Sequence, residues 1–484
     1  MREVIVGPIS VERLAAILPD ERVTRLAAAV ERARTAFGDR VVWHVNATAH
    51  GGGVAEMLQT LLAYGNAAGV ENRWMVLDGD AGFFAVTKRL HNILHGEPGD
   101  GGNLGVAERA HYEEVLRSNL AVLVDLVSPG DIVLAHDPQT AALTAGLRDH
   151  GAHVVWRCHI GRDRPNDLTQ VGWDFLRPYL TRAEALVFSR REYAPGWVDE
   201  DRLVVIPPSI DPFAVKNMPL PPEVVIATLA QVGIVADGPR SGPVDFVRRD
   251  GGAGTVRTHR SSGGLVHGGD PPPADVPLVV QVSRWDRLKD MAGVMEGFVR
   301  AVAASDLGGA HLVLAGPDVS GVSDDPEGAE VLAECLDQWQ RLPPTVRGRV
   351  HLASIPMDDA DENAIIVNAL QRQAAVVVQK SLVEGFGLTV TEAMWKARPV
   401  VASRLGGIQD QITHGRDGLL VDAHDLDEVA GELRRSLEDP ALAARLGAAA
   451  HARVLSEYVG DRHLEQYVEL FSRLVSGSAP GQWS

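Results

Sequence analysis

The 484-residue sequence has only two cysteines, Cys158 and Cys335, far apart and in no metal-type spacing. That excludes a disulfide scaffold and a cysteine-rich zinc site, and it suits a reducing compartment. Lysine is scarce too, with five in all: Lys88, Lys216, Lys289, Lys380 and Lys396. The 46 basic residues face 64 acidic ones, for a net charge of −18, and they form no basic run. Nucleic acid and anionic membrane surfaces are therefore poor partners, and any anion site has to be made locally from backbone amides and a few placed cations. No run of about 18 apolar residues occurs, and Met1–Gly7 lacks the apolar core of a signal peptide, so a cytoplasmic protein is expected. No glycine is followed by lysine, which excludes a Walker A loop. Neither H-E-x-x-H nor C-x-x-C accompanies a strand end, and Asp324-Asp325 reads as a solvent-facing pair, so no metal is expected.

What is present is a long alternation of apolar strands and helical stretches. The chain exceeds the roughly 250–300 residues at which a single core stops growing, so two domains are expected. A helical prefix covers residues 10–37, within a leading segment 1–40. Strands follow at Val41–Val45, Arg73–Leu77, Asp131–Ala135, His153–Arg157, Ala185–Ser189 and Leu203–Ile206. Most are apolar throughout rather than alternating, the pattern of parallel strands covered on both faces. A second set comprises Leu278–Val282, His311–Ala315, Val350–Ala353, Ala375–Gln379, Pro399–Ala402 and Gly418–Val421, with helices at Met291–Ala304, Leu426–Tyr458 and Arg462–Val475. The fold expected is α/β, with two Rossmann-like domains facing a cleft. The first spans 1–212, with the C-terminal helix at about 460–484 packing back on it, and the second spans 213–459. Residues 232–276, crowded with glycine, proline, serine and arginine, read as an exposed insertion or interdomain loop.

The chemistry concentrates in Lys380-Ser-Leu-Val-Glu-Gly-Phe-Gly-Leu-Thr-Val-Thr-Glu392. A strand ending at Gln379 runs into a glycine loop and then a helix start at Leu388, which makes an anion cradle of outward backbone N–H groups. Carboxylates repel phosphate, so Glu384 and Glu392 make sense there only if they meet hydroxyl groups. A ligand with both phosphates and a polyol, a sugar nucleotide, satisfies both demands. Arg284 and Lys289, in the loop after Leu278–Val282, are placed to neutralise a diphosphate. They also read as a solvated loop when taken alone. His159, after the strand ending at Arg157, suits a sugar hydroxyl or a purely structural role, and Asp163 shares its loop. Asp137, after His136, is another strand-end polar residue. Gly51, Gly52 and Gly53 lie before a helix at Val54–Asn66. They do not complete G-x-G-x-x-G, because Glu56 stands where the third glycine belongs. The loop reads either as a backbone approach to a ligand or as a tight turn.

The stretch Glu384-Gly-Phe-Gly-Leu-Thr-Val-Thr-Glu392 resembles the E-x7-E motif of retaining glycosyltransferases of family 4, which have the GT-B fold. Phe83–Asn92, Val205–Pro212, His44–Thr48 and Gln281–Asp286 extend the resemblance to the trehalose glycosyltransferring synthases. The resemblance implies transfer of glucose from NDP-glucose to glucose, giving α,α-trehalose, with no cofactor or metal required. It implies that Arg284 and Lys289 hold the donor diphosphate, that Glu384 binds glucose hydroxyls and that Glu392 binds the ribose. Gly385 and Phe386 belong to the donor-binding set, and the amides of Gly387, Leu388 and Thr389 meet phosphate. His159 and the Gly51–Gly53 loop lie near the donor, and Gly51, Asp137, His159 and Asp163 near the acceptor. A homodimer is in keeping with the family. Trehalose phosphorylase, a family 4 enzyme with another small acceptor, and a non-catalytic sugar-nucleotide-binding protein are the alternatives.

Overall fold

A computed structural model describes residues 1–49, 53–236, 242–259, 264–267, 269–319 and 326–478. The chain divides into two units, Met1–Ser209 with Tyr458–Ser484, and Ile210–Glu457.

Among the described residues, the first unit is built on seven strands: β1 (Arg2–Val4), β2 (Val42–Asn46), β3 (Asn72–Val76), β4 (Ile132–His136), β5 (His153–Cys158), β6 (Ala185–Phe188) and β7 (Leu203–Val205). Their order is β1-β3-β2-β4-β5-β6-β7, parallel except for β1, which runs antiparallel to β3. The all-apolar strand pattern predicts burial on both faces, and β2, β4 and β6 are buried along their whole length. One face carries Trp43, Val45, Val133, Val154 and Trp156, packed with Phe83, Tyr112, Trp173 and Leu176 of the overlying helices. The opposite face carries Val42, Ile132, Leu134 and Val155. It is covered by helix Asp20–Phe37 and by helix Gly460–Val475, whose Tyr467, Leu470, Phe471 and Leu474 are buried there. Arg22 on the first of these helices grips the buried carboxylate of Asp461 on the second through two hydrogen bonds of 2.8 and 2.6 Å.

The second unit carries β10 (Val266–His267), β11 (Leu278–Val282), β12 (His311–Pro317), β13 (Val350–Ile355), β14 (Ala374–Gln379), β15 (Val400–Ser403) and β16 (Leu419–Val421), after a separate pair β8 (Val244–Val247) and β9 (Ala253–Val256). The sheet order is β10-β13-β12-β11-β14-β15-β16, parallel from β13 to β16. The core lies beside helices Met291–Ala304 and Leu426–Glu438, through Val294, Phe298, Val429 and Leu433.

Two sequence expectations are corrected here. Segment 232–276 is not a bare loop among its described residues. Its β8 and β9 form an antiparallel hairpin with alternating burial, and β10 adds to the sheet edge beside β13. Its arginines anchor it: Arg248 pairs with Asp359, Arg249 with Asp361, and Arg257 with Asp358 and Glu362. These carboxylates cap and begin helix Ala360–Gln373, where negative charge is favoured and guanidinium groups are in turn drawn in. Glycine- and arginine-rich composition hid a hairpin only four residues deep. The helix expected over Leu426–Tyr458 is two, Leu426–Glu438 and Pro440–Glu457, because Pro440 has no N–H to donate and its ring clashes with the preceding turn. No helix of the described residues is long and apolar enough to cross a membrane.

Candidate active site

In the second unit, β11 and β14 are the neighbours at which the strand order reverses. Chain connections leave such a pair in opposite directions and open a crevice at the carboxyl ends of the strands. The loop after β11 carries Lys289, and the loop after β14 carries Glu384. The Lys289 Nζ donates to Glu384 Oε2 at 2.7 Å, and Ser381 Oγ donates to the same oxygen at 3.0 Å. Both members of the ion pair are largely but not fully enclosed, with side chains 17% and 12% exposed. Gln281 ties the two loops together. Its Nε2 donates to the Lys289 carbonyl at 2.8 Å and its Oε1 accepts the Lys380 amide at 3.0 Å. Behind them, Gln379 Nε2 donates to Ser381 Oγ and Thr389 Oγ1 donates to Gln379 Oε1.

The cradle itself is the turn into helix Leu388–Trp395. Gly387, at its N-cap, has φ +84°, a left-handed conformation that disfavours any side chain. A Cβ there would also press on Ile408 at 3.2 Å and on the Glu384 side chain at 3.3 Å. Gln411 fastens the turn from outside, donating to the Phe386 carbonyl at 2.6 Å and accepting from Thr391 Oγ1 at 2.6 Å. Gly385 accepts the Gly407 amide, and Phe386 is buried. The helix therefore begins in a fixed position with its first amides beside the Lys289–Glu384 pair.

The other expected donor residues are placed differently. The Arg284 guanidinium, half exposed, pairs with Asp286 at 3.1 Å. Glu392 lies in the helix, nearly buried, with Oε1 at 3.2 Å from Lys216 Nζ. Behind it the buried Lys396 ammonium donates to Asn217 Oδ1 and Gln371 Oε1, and burial lowers it to about 7 against the opposing pull of Glu392. Lys289 and Glu384 are thus brought together, whereas Glu392 has its own cation.

In the first unit the strand order reverses between β2 and β4. His136 ends β4, His159 follows β5, and the two contact through His136 Nδ1 and His159 Nε2 at 3.2 Å. Asp137, with φ +64°, accepts the His159 amide at 2.7 Å, and burial raises its carboxyl to about 7. Asp163 forms an ion pair with Arg190. Gly53 opens helix Gly53–Ala67, while Gly51 and Gly52 lie outside the described residues. The structure thus joins Asp137 to His159 and gives Asp163 a separate partner.

Under this loop cluster lie groups the sequence reading did not single out. The fully buried Arg157 donates to His463 Nε2 at 3.2 Å, to the Tyr467 hydroxyl and to the Ile206 carbonyl at 3.0 Å. His463 Nδ1 meets Ser209 Oγ at 2.8 Å. Burial, reinforced by the Arg157 charge, lowers His44 to about 3 and holds His136, His159 and His463 well below the ordinary imidazole range. One signal in the sequence could have found Gln281, Gln379, His44 and Arg157: a polar residue inside an otherwise apolar strand.

The four neutral histidines predict acid lability. Their folded pKa values lie below the unfolded value near 6.5, so the unfolded chain takes up protons that the folded chain refuses. Their stabilisation is complete above about pH 6.5 and is lost progressively below it, over a window reaching about 3 for His44. Asp137, shifted the other way, opposes this between about pH 4 and 7. Melting temperature is expected to fall steeply below pH 6, and a His463→Gln variant should show a shallower fall.

Comparison with known proteins places these features. The profile of the family described as "Trehalose synthase, N-terminal domain" matches residues 44–195, and that of "Glycosyl transferases group 1" matches residues 363–453. The chain is 37% identical to a trehalose synthase of Rubrobacter xylanophilus, over 90% of this chain and 91% of that protein. It is 31% identical to a trehalose synthase of Pyrococcus horikoshii, over 98% and 99% of the two chains. Among solved structures, the α,α-trehalose-phosphate synthase (UDP-forming) of Burkholderia vietnamiensis superposes with a TM-score of 0.66. It covers 92% of this chain and 100% of that one at 16% identity, a likeness of fold.

Proposed function

We propose that this chain, which belongs to the trehalose synthase family and is a trehalose-related glycosyltransferase of the GT-B fold, transfers glucose from an NDP-glucose donor to glucose with retention, forming α,α-trehalose. The observation that carries the reading is the Lys289–Glu384 pair at the sheet's reversal point, set against the N-terminus of helix Leu388–Trp395. A cation and helix amides suit a diphosphate, and a carboxylate beside them suits the hydroxyls of the attached sugar.

In this reading the bond from the anomeric carbon to the diphosphate oxygen breaks, and the acceptor hydroxyl forms its new bond on the same face. The acceptor's proton passes to the departing oxygen, and the charge left on the diphosphate is taken by Lys289, by Arg284 and by the amides of Gly387, Leu388 and Thr389. Gly385 and Phe386 hold the turn that aims those amides. Glu384 orients the glucose and Glu392 the ribose. His159 meets a sugar hydroxyl, with Asp137 holding its backbone. The reading requires no metal, and turnover is expected to survive EDTA.

The test is a donor screen with UDP-, ADP- and GDP-glucose and free glucose, the product identified by NMR. Trehalose with both anomeric protons in the α form is expected. In reverse, trehalose with a nucleoside diphosphate should regenerate the sugar nucleotide. Turnover of trehalose with phosphate alone would establish a phosphorylase and overturn the reading. So would conversion of maltose to trehalose without any nucleotide, or donor binding without turnover.

A further inference from the structure

We propose that Asp290 and Lys380 are positioning residues for the reaction: their ion pair locks the turn that aims Lys289 at the donor diphosphate. The proposal rests on the reading that Lys289 meets that diphosphate. It adds what holds the lysine there, a second pair of opposite charges behind the first.

The chain changes direction at Asp290. The short 3₁₀ turn Arg287–Lys289 ends on it and helix Met291–Ala304 begins on it, so this one residue sets the angle between them. Its backbone has φ +48° and ψ +49°, the left-handed conformation. A residue other than glycine takes that conformation at a cost and keeps it only where its surroundings fix it. Here three contacts do so. The Asp290 amide donates to the Arg287 carbonyl at 3.2 Å, Oδ1 accepts the Gly293 amide at 3.0 Å, and Oδ2 accepts from the Lys380 ammonium.

Lys380 directly follows β14, and its side chain is only 3% exposed. A buried ammonium has to be paired, and among the described residues Asp290 is the carboxylate that pairs with it. Lys380 grips the Lys289 loop at two points. Its side chain holds Asp290, and its amide donates to Gln281, whose Nε2 holds the Lys289 carbonyl. Gly293 makes room for the pair. A Cβ at that position, in the first turn of the helix, would run into both the Asp290 carboxylate and the Lys380 Nζ. Glycine is a poor helix former, and its absent side chain here is the space the pair occupies.

Lys289 therefore sits between fixed points. Its amide donates to the Asp286 carbonyl at 2.9 Å, its carbonyl accepts from Gln281, and the next residue is locked. The side chain leaves the backbone in one direction and reaches Glu384 at 2.7 Å. An ammonium already in place needs no reorganisation as charge develops on the departing diphosphate. A turn free to rotate at residue 290 would displace it, and a displacement of about 1 Å costs up to about a hundredfold in rate.

The test is made on the full-length enzyme with the double change Lys380→Met and Asp290→Gly. It leaves no charge buried alone, and glycine takes the left-handed and N-cap position without strain. The melting temperature should stay close to that of the unmodified enzyme, while kcat/KM for glucose transfer falls about tenfold to a hundredfold. In a Lys289→Ala background the same double change should cost less than about twofold, because residues that act through Lys289 then have nothing to position. An equal loss in both backgrounds, or full activity of the double variant, overturns the proposal. Should the double variant fail to fold, Gly293→Ala keeps both charges and places a methyl where the pair lies, with the same results expected.

A second readout needs no turnover. With 15N-labelled lysine, an ammonium held in an ion pair exchanges slowly enough with water to give a signal, and the chain has only five lysines to distinguish. The Lys289 signal, assigned by its loss in Lys289→Ala, is expected in the unmodified enzyme without substrate and should vanish in the double variant. Its absence from the unmodified enzyme, or its persistence in the double variant, overturns the lock. A signal that vanishes as expected, in an enzyme that makes no trehalose, would uphold the lock and reject the proposed reaction.

Discussion

Lys289→Ala is expected to lower kcat/KM for glucose transfer by about 10²–10³-fold, equivalent to about 2.7–4 kcal/mol of transition-state stabilisation. The reason is positional. Lys289 is the cation that the structure holds at the reversal point, 2.7 Å from Glu384, whereas Arg284 is turned to Asp286. When the sugar–phosphate bond breaks, charge develops on the diphosphate, and an ammonium already in place needs no reorganisation to meet it. Lys289→Arg should not restore full activity, because a planar guanidinium does not present a compact charge in the space shaped by Gln281 and Ser381. Folding should survive the alanine change, since Glu384 keeps the Ser381 hydroxyl and part of its own surface. Circular dichroism and melting temperature separate the two effects. A Lys289→Ala enzyme with undiminished turnover would falsify the assignment of the site.

Truncation after Glu457 is expected to abolish folding of the first unit. The shortened chain loses helix Gly460–Val475, and with it the buried side chains Tyr467, Leu470, Phe471 and Leu474. At about 1.5–3 kcal/mol for each large apolar side chain, the four represent on the order of 6–12 kcal/mol. That is comparable with the whole stability of an ordinary domain, about 5–15 kcal/mol. The loss also strips Arg22 of Asp461 and leaves the buried Arg157 without His463 and Tyr467. The second unit, Ile210–Glu457, keeps every residue of its own core. The expected result is a truncated protein that is aggregated or protease-sensitive in residues 1–209 while a fragment beginning near residue 210 resists digestion. A single cooperative melting transition at the full-length temperature would refute this.

Much of the architecture was legible in the residues themselves. Strands such as Leu278–Val282 and helices such as Met291–Ala304 were read at their observed bounds, because a strand buried on both faces is apolar at every position and a helix keeps its period. The short hairpin at Val244–Val247 and Ala253–Val256 was not legible. It buries Val244, Phe246 and Val256, and its arginines pair with carboxylates about a hundred residues away; local composition does not record such partners. The break at Pro440 is written in the sequence, because proline has no N–H to donate, although the apolar period runs on across it.

The site divides in the same way. By itself the sequence determined that Glu384, Gly387 and the start of a helix share one loop, because those residues are consecutive and a glycine turn into a helix has only a few forms. It determined nothing about their neighbours. That Lys289 meets Glu384, that Gln411 secures the turn and that Lys216 answers Glu392 follows from the order of strands in the sheet and the packing of distant loops. Most clearly, His44, His136 and His159 are separated by 92 and 23 residues. They become one line of rings only because β2, β4 and β5 lie side by side. Period and composition belong to the chain, whereas proton sharing between its side chains belongs to the fold.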